Sequence, residues 1–182
     1  SFLNDAATDK RVVLIDQLLA GPKFPQRMSS VFHVMLMERL GDDEAWTKYL
    51  HDSFAENKSW SQMVREMANP NAEDEATRGS AFFLSKRLEN YGQNPVDYPG
   101  LVRDVGRLFL GVDVQCAQCH DHLFVDDYKQ VDYQGLYGFL GTAVLRQDVK
   151  FPAVGENLLG KKINFKSVFV MQDDLTGPRL PS

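Results

Sequence analysis

The side chains best suited to chemistry stand together in CAQCHDH, residues 116–122. Both cysteines of the chain lie there, and two of its four histidines. C-x-x-C-H is the attachment signature for c-type haem. Two thioethers must reach the vinyl groups on one edge of a porphyrin, and the next residue must swing an imidazole under the iron. Cys116 and Cys119 would carry the thioethers and His120 would be the proximal iron ligand. The same side chains permit other uses. Cys116, Cys119, His120 and His122 offer two sulfurs and two nitrogens, the donor types of tetrahedral zinc. Four donors within seven residues are crowded for that, and His33 and His51 have no matching spacing. A redox dithiol normally follows a strand inside a βαβ unit, whereas this pair follows a helical stripe. A buried or oxidised pair without function is the fourth reading. Spacing alone leaves all four open, with haem the leading one.

If haem is bound, the group opposite His120 decides between electron carriage and ligand binding. His122 is too near His120 in sequence to reach the other face. It suits a haem propionate or a role in orienting the site. His33, Met35 and Met37, on one apolar helix, are the distal candidates, although packing explains each of them as well. Arg107, on the approach to the motif, could neutralise a propionate, and Phe124 could wall the pocket. No Ser/His/Asp pattern and no phosphate-binding glycine loop is present, and whether the chain is an enzyme stays open.

The elements that must hold these groups read as mostly helical. Val12, Ile15, Leu18 and Leu19 fall on one helical face, stopped by Gly21-Pro22. Residues 24–41 read as a helix that is apolar almost all round through Val31–Met37, and so as a buried one. Trp46, Leu50 and Phe54 recur in steps of four behind Asp42, Asp43 and Glu44, which suit a helix start. Ser59 caps WSQMVREMA, with Met63, Val64 and Met67 inward. Further helices read over 75–92 and from Pro99, with Leu101, Val105, Leu108 and Phe109 buried, and a last one within KQVDYQGLYGFLG. AVLRQDV and KINFKSVFVM look like two strands of one short hairpin. DDLTGPRLPS looks like an unstructured exit or a linker.

Length and composition bound the rest. The chain has 182 residues, 43% hydrophobic, enough for one sizeable core. A net charge of -5 without a basic stripe disfavours nucleic acid as a partner. No apolar run approaches the roughly 20 residues of a membrane span. The chain starts SFLNDAATDK, without a basic-then-apolar leader, which reads as a processed or excised piece. The cysteines are too close together to form a disulfide framework.

GRLFLGVDVQCAQCHDHLF followed by KQVDYQGLYGFL resembles the planctomycete cytochrome-like domain family, whose function is unknown. That family's run is close to FLG-x-x-VQCA-x-CHDHPFDP, then Q-x-DYY-x-L-x-AFF. The similarity rests on Phe109, Leu110, Gly111, Val114, Gln115, Cys116, Ala117, Cys119, His120, Asp121, His122 and Phe124. It continues at Gln130, Asp132, Tyr133, Leu136 and Phe139. LIDQLLAGPKF and SWSQMVREM resemble the family more weakly, so the likeness spans most of residues 9–141. Leu123 stands where the family has Pro, and Val125 where it has Asp, so a role for that Asp in orienting His122 does not carry over. The resemblance implies an excised piece of a large exported protein, an extracytoplasmic location (periplasmic or cell-surface), and haem.

The expectation is therefore a mostly α chain with a short β-hairpin near the C-terminus. Residues 1–144 would form one helical haem domain, and 145–182 an extension leading to a further domain. One covalent haem c would be held through Cys116 and Cys119 and ligated by His120, with His122, Phe124 and Arg107 around it. The function would be electron transfer, with other domains of the parent protein or a separate redox protein as partner. A haem enzyme or ligand sensor with an open distal side is the alternative, and a zinc-holding interaction module the third reading.

Overall fold

The computed structural model describes residues 2–157 and 162–181. The chain forms two compact units, Ser1–Ser80 and Ala81–Ser182. It is mostly α-helical, as expected, with two short antiparallel hairpins toward the C-terminus.

The first unit contains α1 (Lys10–Leu19), α2 (Lys23–Met37), α3 (Glu44–Ala55) and α4 (Trp60–Ala68). Ser59 caps α4 as expected, and Asp43, one of the acids at the start of α3, caps that helix. The Asp43 carboxylate accepts from the Trp46 amide at 3.1 Å, and the Ser59 hydroxyl accepts from the Gln62 amide at 3.3 Å. Each satisfies one of the amides a helix start leaves without an intrahelical partner. Leu36, Met37, Trp46, Leu50, Met63 and Met67 are buried. Tyr49 is buried with them; its hydroxyl donates to the Glu66 carboxylate at 2.8 Å, and burial drives its ionisation far up the pH scale.

One expectation fails here: α2 is not buried all round, because Val31, Val34 and Met35 are exposed. The α1 stripe Val12, Ile15, Leu18 and Leu19 shares one helical face, and that face is exposed. Periodicity reports that a face is apolar; it does not supply an element to cover it.

The second unit begins with α5 (Phe82–Arg87) and α6 (Tyr98–Val105). Arg87 is buried: its Nε donates to Asp104 at 2.8 Å and its Nη1 to the Phe83 carbonyl at 3.0 Å, tying α5 to α6. A wide π-helical turn, Gly106–Leu110, follows α6 and ends at Gly111, whose φ of 69° favours glycine. The chain then folds back over Gly106, where an added Cβ would sit 3.1 Å from Val114 and 3.2 Å from the Val112 carbonyl. The motif enters on a short 3₁₀ turn, Cys116–Gln118, and α7 (Gln130–Leu140) comes after it.

The β-pairing differs from the single expected hairpin. β1 (Ala143–Leu145) pairs with β2 (Val154–Glu156), and β3 (Ile163–Lys166) pairs with β4 (Asp173–Thr176). AVLRQDV and KINFKSVFVM thus take separate partners. DDLTGPRLPS is not an unstructured exit either. Asp173–Thr176 is β4, and the residues after it lie along α7. The Arg179 amide donates to the Gly135 carbonyl at 3.1 Å. Arg179 Nη2 stands 2.9 Å from the buried Asp132 Oδ1, as an ion pair. Gly135 and Gly138 make this approach possible, since a Cβ at Gly135 would meet Arg179 Cγ at 2.0 Å and one at Gly138 would meet Pro178 Cα at 3.0 Å.

Gly135→Ala tests that packing. Alanine inside a helix ordinarily stabilises by about 0.5–1 kcal/mol relative to glycine. Here crowding against the Arg179 carbonyl, 3.0 Å from the new Cβ, should reverse the sign. The expected net loss is about 1–2 kcal/mol, the scale of overpacking, measured by thermal or urea unfolding.

Candidate functional site

The motif is held in place by α7. The residue before that helix, Lys129, offers no capping side chain. Asp121 supplies the missing acceptor from nine residues upstream: its Oδ1 takes the Gln130 amide at 2.8 Å. Its negative charge at a helix start is also favoured by the helix dipole. Gln130 is buried, and its side-chain amide donates to the Gln118 carbonyl at 3.3 Å and the Lys166 carbonyl at 3.2 Å. Gln134 adds a bond to the same Gln118 carbonyl at 3.4 Å. The Val168 amide, beyond β3, donates to the Cys119 carbonyl at 3.0 Å. The motif is therefore gripped between α7 and the β3–β4 hairpin.

Within this grip the motif histidines do different work. His120 Nδ1 lies 2.6 Å from the Asp121 carbonyl oxygen. A carbonyl only accepts, so the ring must donate from Nδ1, and the lone pair of the neutral ring is then on Nε2. His120 is half-buried, and its ring sits 4.6 Å from that of Phe169. His122 is bound the opposite way. Its Nδ1 accepts from the Phe124 amide at 3.2 Å and the Val125 amide at 3.0 Å. Its own amide donates to the Tyr128 carbonyl at 2.8 Å, and Tyr128 stands edge-on to its ring at 5.8 Å. His122 thus clasps the turn after the motif. The backbone of Val125 helps orient it, so the missing carboxylate at that position is not needed for the purpose.

Cys116 and Cys119 are free thiols, and both are exposed. From His120 onward the motif borders a cleft of about 610 Å³, within the range of small-molecule and cofactor pockets, which neither cysteine lines. The motif lines it with His120, Asp121, His122 and Leu123, and the hairpin with Phe165, Phe169 and Val170; Lys129, Gln130, Ser167, Gln172 and Asp174 make much of the remaining lining polar. Of its apolar lining residues, Leu123, Phe169 and Val170 are exposed.

Beneath the motif, Tyr133 is buried and its hydroxyl has no hydrogen-bond partner among the described residues. Burial raises its pKa to about 12, and Arg103, Tyr137, Asp97 and Cys119 act on it electrostatically.

The remaining candidates are placed elsewhere. Phe124 is 89% exposed and is not part of the cleft wall. Arg107 is exposed on the π-helical turn, 3.3 Å from Asp104. His33, Met35 and Met37 belong to the first unit. There His33 Nδ1 accepts from Trp46 Nε1 at 3.1 Å, Met37 is fully buried, and Met35 is exposed. Among the described residues, no three of the His, Cys, Asp and Glu side chains converge as a metal site would require. The four donors of CAQCHDH are therefore not arranged as a tetrahedral cage. The motif does present the donor types that haem attachment uses, two accessible thiols and one imidazole with Nδ1 engaged. Sequence reasoning missed Phe165, Phe169 and Val170. Their apolar pattern was visible, but nothing local tied them to a motif some 45 residues earlier.

A family model described as "PSCyt2: Protein of unknown function (DUF1549)" matches residues 1–144. No curated protein and no solved structure matches the chain.

Two predictions follow from this geometry. His122→Ala should cost about 1 kcal/mol, the worth of a lost acceptor, while His122→Asn, which keeps an acceptor near Nδ1, should cost less; urea unfolding compares them. The second concerns Tyr133. Its folded form stays neutral to about 12, whereas an unfolded tyrosine ionises near 10. The unfolded chain loses its proton first, so the stability Tyr133 contributes is present below about pH 10 and falls as pH rises toward 12. Tyr133→Phe should be near neutral at pH 7, since no hydrogen bond is lost, and should unfold less readily than wild type at pH 11.

Proposed function

The chain belongs to the PSCyt2 family of proteins of unknown function, and on that premise we propose that it is an extracytoplasmic c-type haem-binding domain. Cys116 and Cys119 would hold the haem through thioethers, and His120 would ligate its iron. The observation that carries this reading is the state of His120. Its Nδ1 is held by the Asp121 carbonyl at 2.6 Å, on the wall of a cleft and in the same motif as two exposed thiols. A histidine ligand is normally fixed in this way, with one nitrogen donating and the other free for the metal.

When bound, the haem would supply one-electron chemistry at its iron. The chain's own residues would set the conditions. Asp121 and Gln130 hold the motif backbone in place, His122 keeps the following turn closed, and Leu123, Phe165, Phe169 and Val170 would offer apolar surface to the group. The proposed function is electron transfer to or from another domain of a parent protein or a separate redox protein. A second reading, a haem enzyme or small-ligand sensor, has a specific observation in its favour. Besides His120 and His122, the described residues that line the cleft include no histidine or methionine, and His122 Nδ1 is already used by the backbone. No helix among the described residues is long and apolar enough to cross a membrane.

The test is a pyridine haemochrome spectrum on denatured full-length chain, made in a host that exports it and matures c-type cytochromes. A c-type band that stays with the polypeptide is expected, and Cys116→Ala with Cys119→Ala should abolish it while far-ultraviolet circular dichroism stays helical. A band of equal strength in the double variant would overturn covalent attachment. Carbon monoxide then separates the two functions: slow or absent binding to the reduced form favours a carrier, rapid binding an open site.

A further inference from the structure

We propose that the β3–β4 hairpin is an integral part of the cofactor site, with Phe169 as the positioning residue that sets the plane of the His120 imidazole. The inference deepens the haem reading above and rests on it. It concerns residues outside the stretch that the family model matches, which ends at 144.

Three independent contacts place the hairpin there. The Val168 amide bonds the Cys119 carbonyl at 3.0 Å, fixing the connection between β3 and β4 directly against the motif. Gln130 Nε2 bridges the Gln118 carbonyl before the second cysteine and the Lys166 carbonyl at the end of β3, at 3.3 and 3.2 Å. The Phe169 ring lies 4.6 Å from the His120 ring at 43°. The imidazole is thus restrained twice, at Nδ1 by the Asp121 carbonyl and on one flank by Phe169. The first restraint fixes which nitrogen is free; the flanking ring limits rotation about the Cβ–Cγ bond. Orientation of a ligating imidazole tunes the metal it binds.

Phe169 is 64% exposed although it is a large apolar side chain in ring contact with the motif. Its neighbours Val168, Val170 and Met171 are also exposed. Water over so much apolar surface is unfavourable, at about 25 cal/mol per Å². A flat apolar group seated in the cleft would cover the part of it that Phe165, Phe169 and Val170 line.

The experiment compares wild type, Phe169→Ala and Phe169→Tyr as full-length chains matured with haem, read by haem content, ferric electron paramagnetic resonance and reduction potential. Phe169→Ala should keep one haem per chain, since both thioethers remain. Its ferric g-values and potential should shift, and Phe169→Tyr, which keeps a ring in place, should restore them. Wild-type g-values and potential in the alanine variant would overturn the positioning role. If wild type carries no haem, the functional reading fails, and the hairpin contact is judged separately on the metal-free chain. There the His120 ring protons should move in Phe169→Ala, through loss of the aromatic ring current. Unmoved His120 resonances would overturn the inference independently of haem.

Discussion

A single carboxylate organises the second unit. Asp121 accepts the first amide of α7, a group that no local side chain can satisfy, and so binds the motif to the start of a helix. An amide left bare at that position would lose a charge-assisted hydrogen bond. With Asp121 seated, its neighbours on either side have limited freedom. The Asp121 carbonyl meets His120 Nδ1, and the chain turns so that His122 can receive the amides of Phe124 and Val125. The three residues His-Asp-His thus divide the labour: one presents a free nitrogen, one anchors the helix, and one closes the loop.

α7 then serves both sides of the site. Its first residues, Gln130 and Gln134, reach the Gln118 carbonyl, so the motif is fixed by side-chain amides as well as by Asp121. Farther along, the glycines let Pro178 and Arg179 lie almost on the helix backbone. That close approach brings the chain back past the motif and gives β4 a place beside β3. The buried Asp132 would be costly alone, and Arg179 on the returning strip offsets its charge. Cleft, helix and strip are therefore coupled through α7.

The parts of this arrangement that could be read along the chain are those governed by near neighbours. Ser59 and Asp43 cap their helices because a short polar side chain reaches an amide three residues on. Met63, Met67, Trp46 and Leu50 are buried because their spacing puts them on one helical face. The α1 stripe shows the limit of that logic: Val12, Ile15, Leu18 and Leu19 have the same spacing, yet they are exposed. His33, Met35 and Met37 were plausible iron ligands by residue type alone, but Trp46 already occupies His33 Nδ1 and Met37 is fully buried.

The sequence by itself determined the chemistry on offer: two thiols and an imidazole at an attachment spacing, in a mostly helical chain. Only the tertiary structure decided how those groups are held. Which ring flanks His120 depends on Phe169, forty-nine positions later, and what holds the Cys119 carbonyl depends on the Val168 amide. The physical reason is range. Side-chain type, capping and helical period act over three or four residues and leave a visible pattern. Contacts such as Val168 to Cys119 depend on how α7 and the glycines along it let the chain return. No local pattern encodes that return, because its free energy comes from packing between segments far apart in the chain.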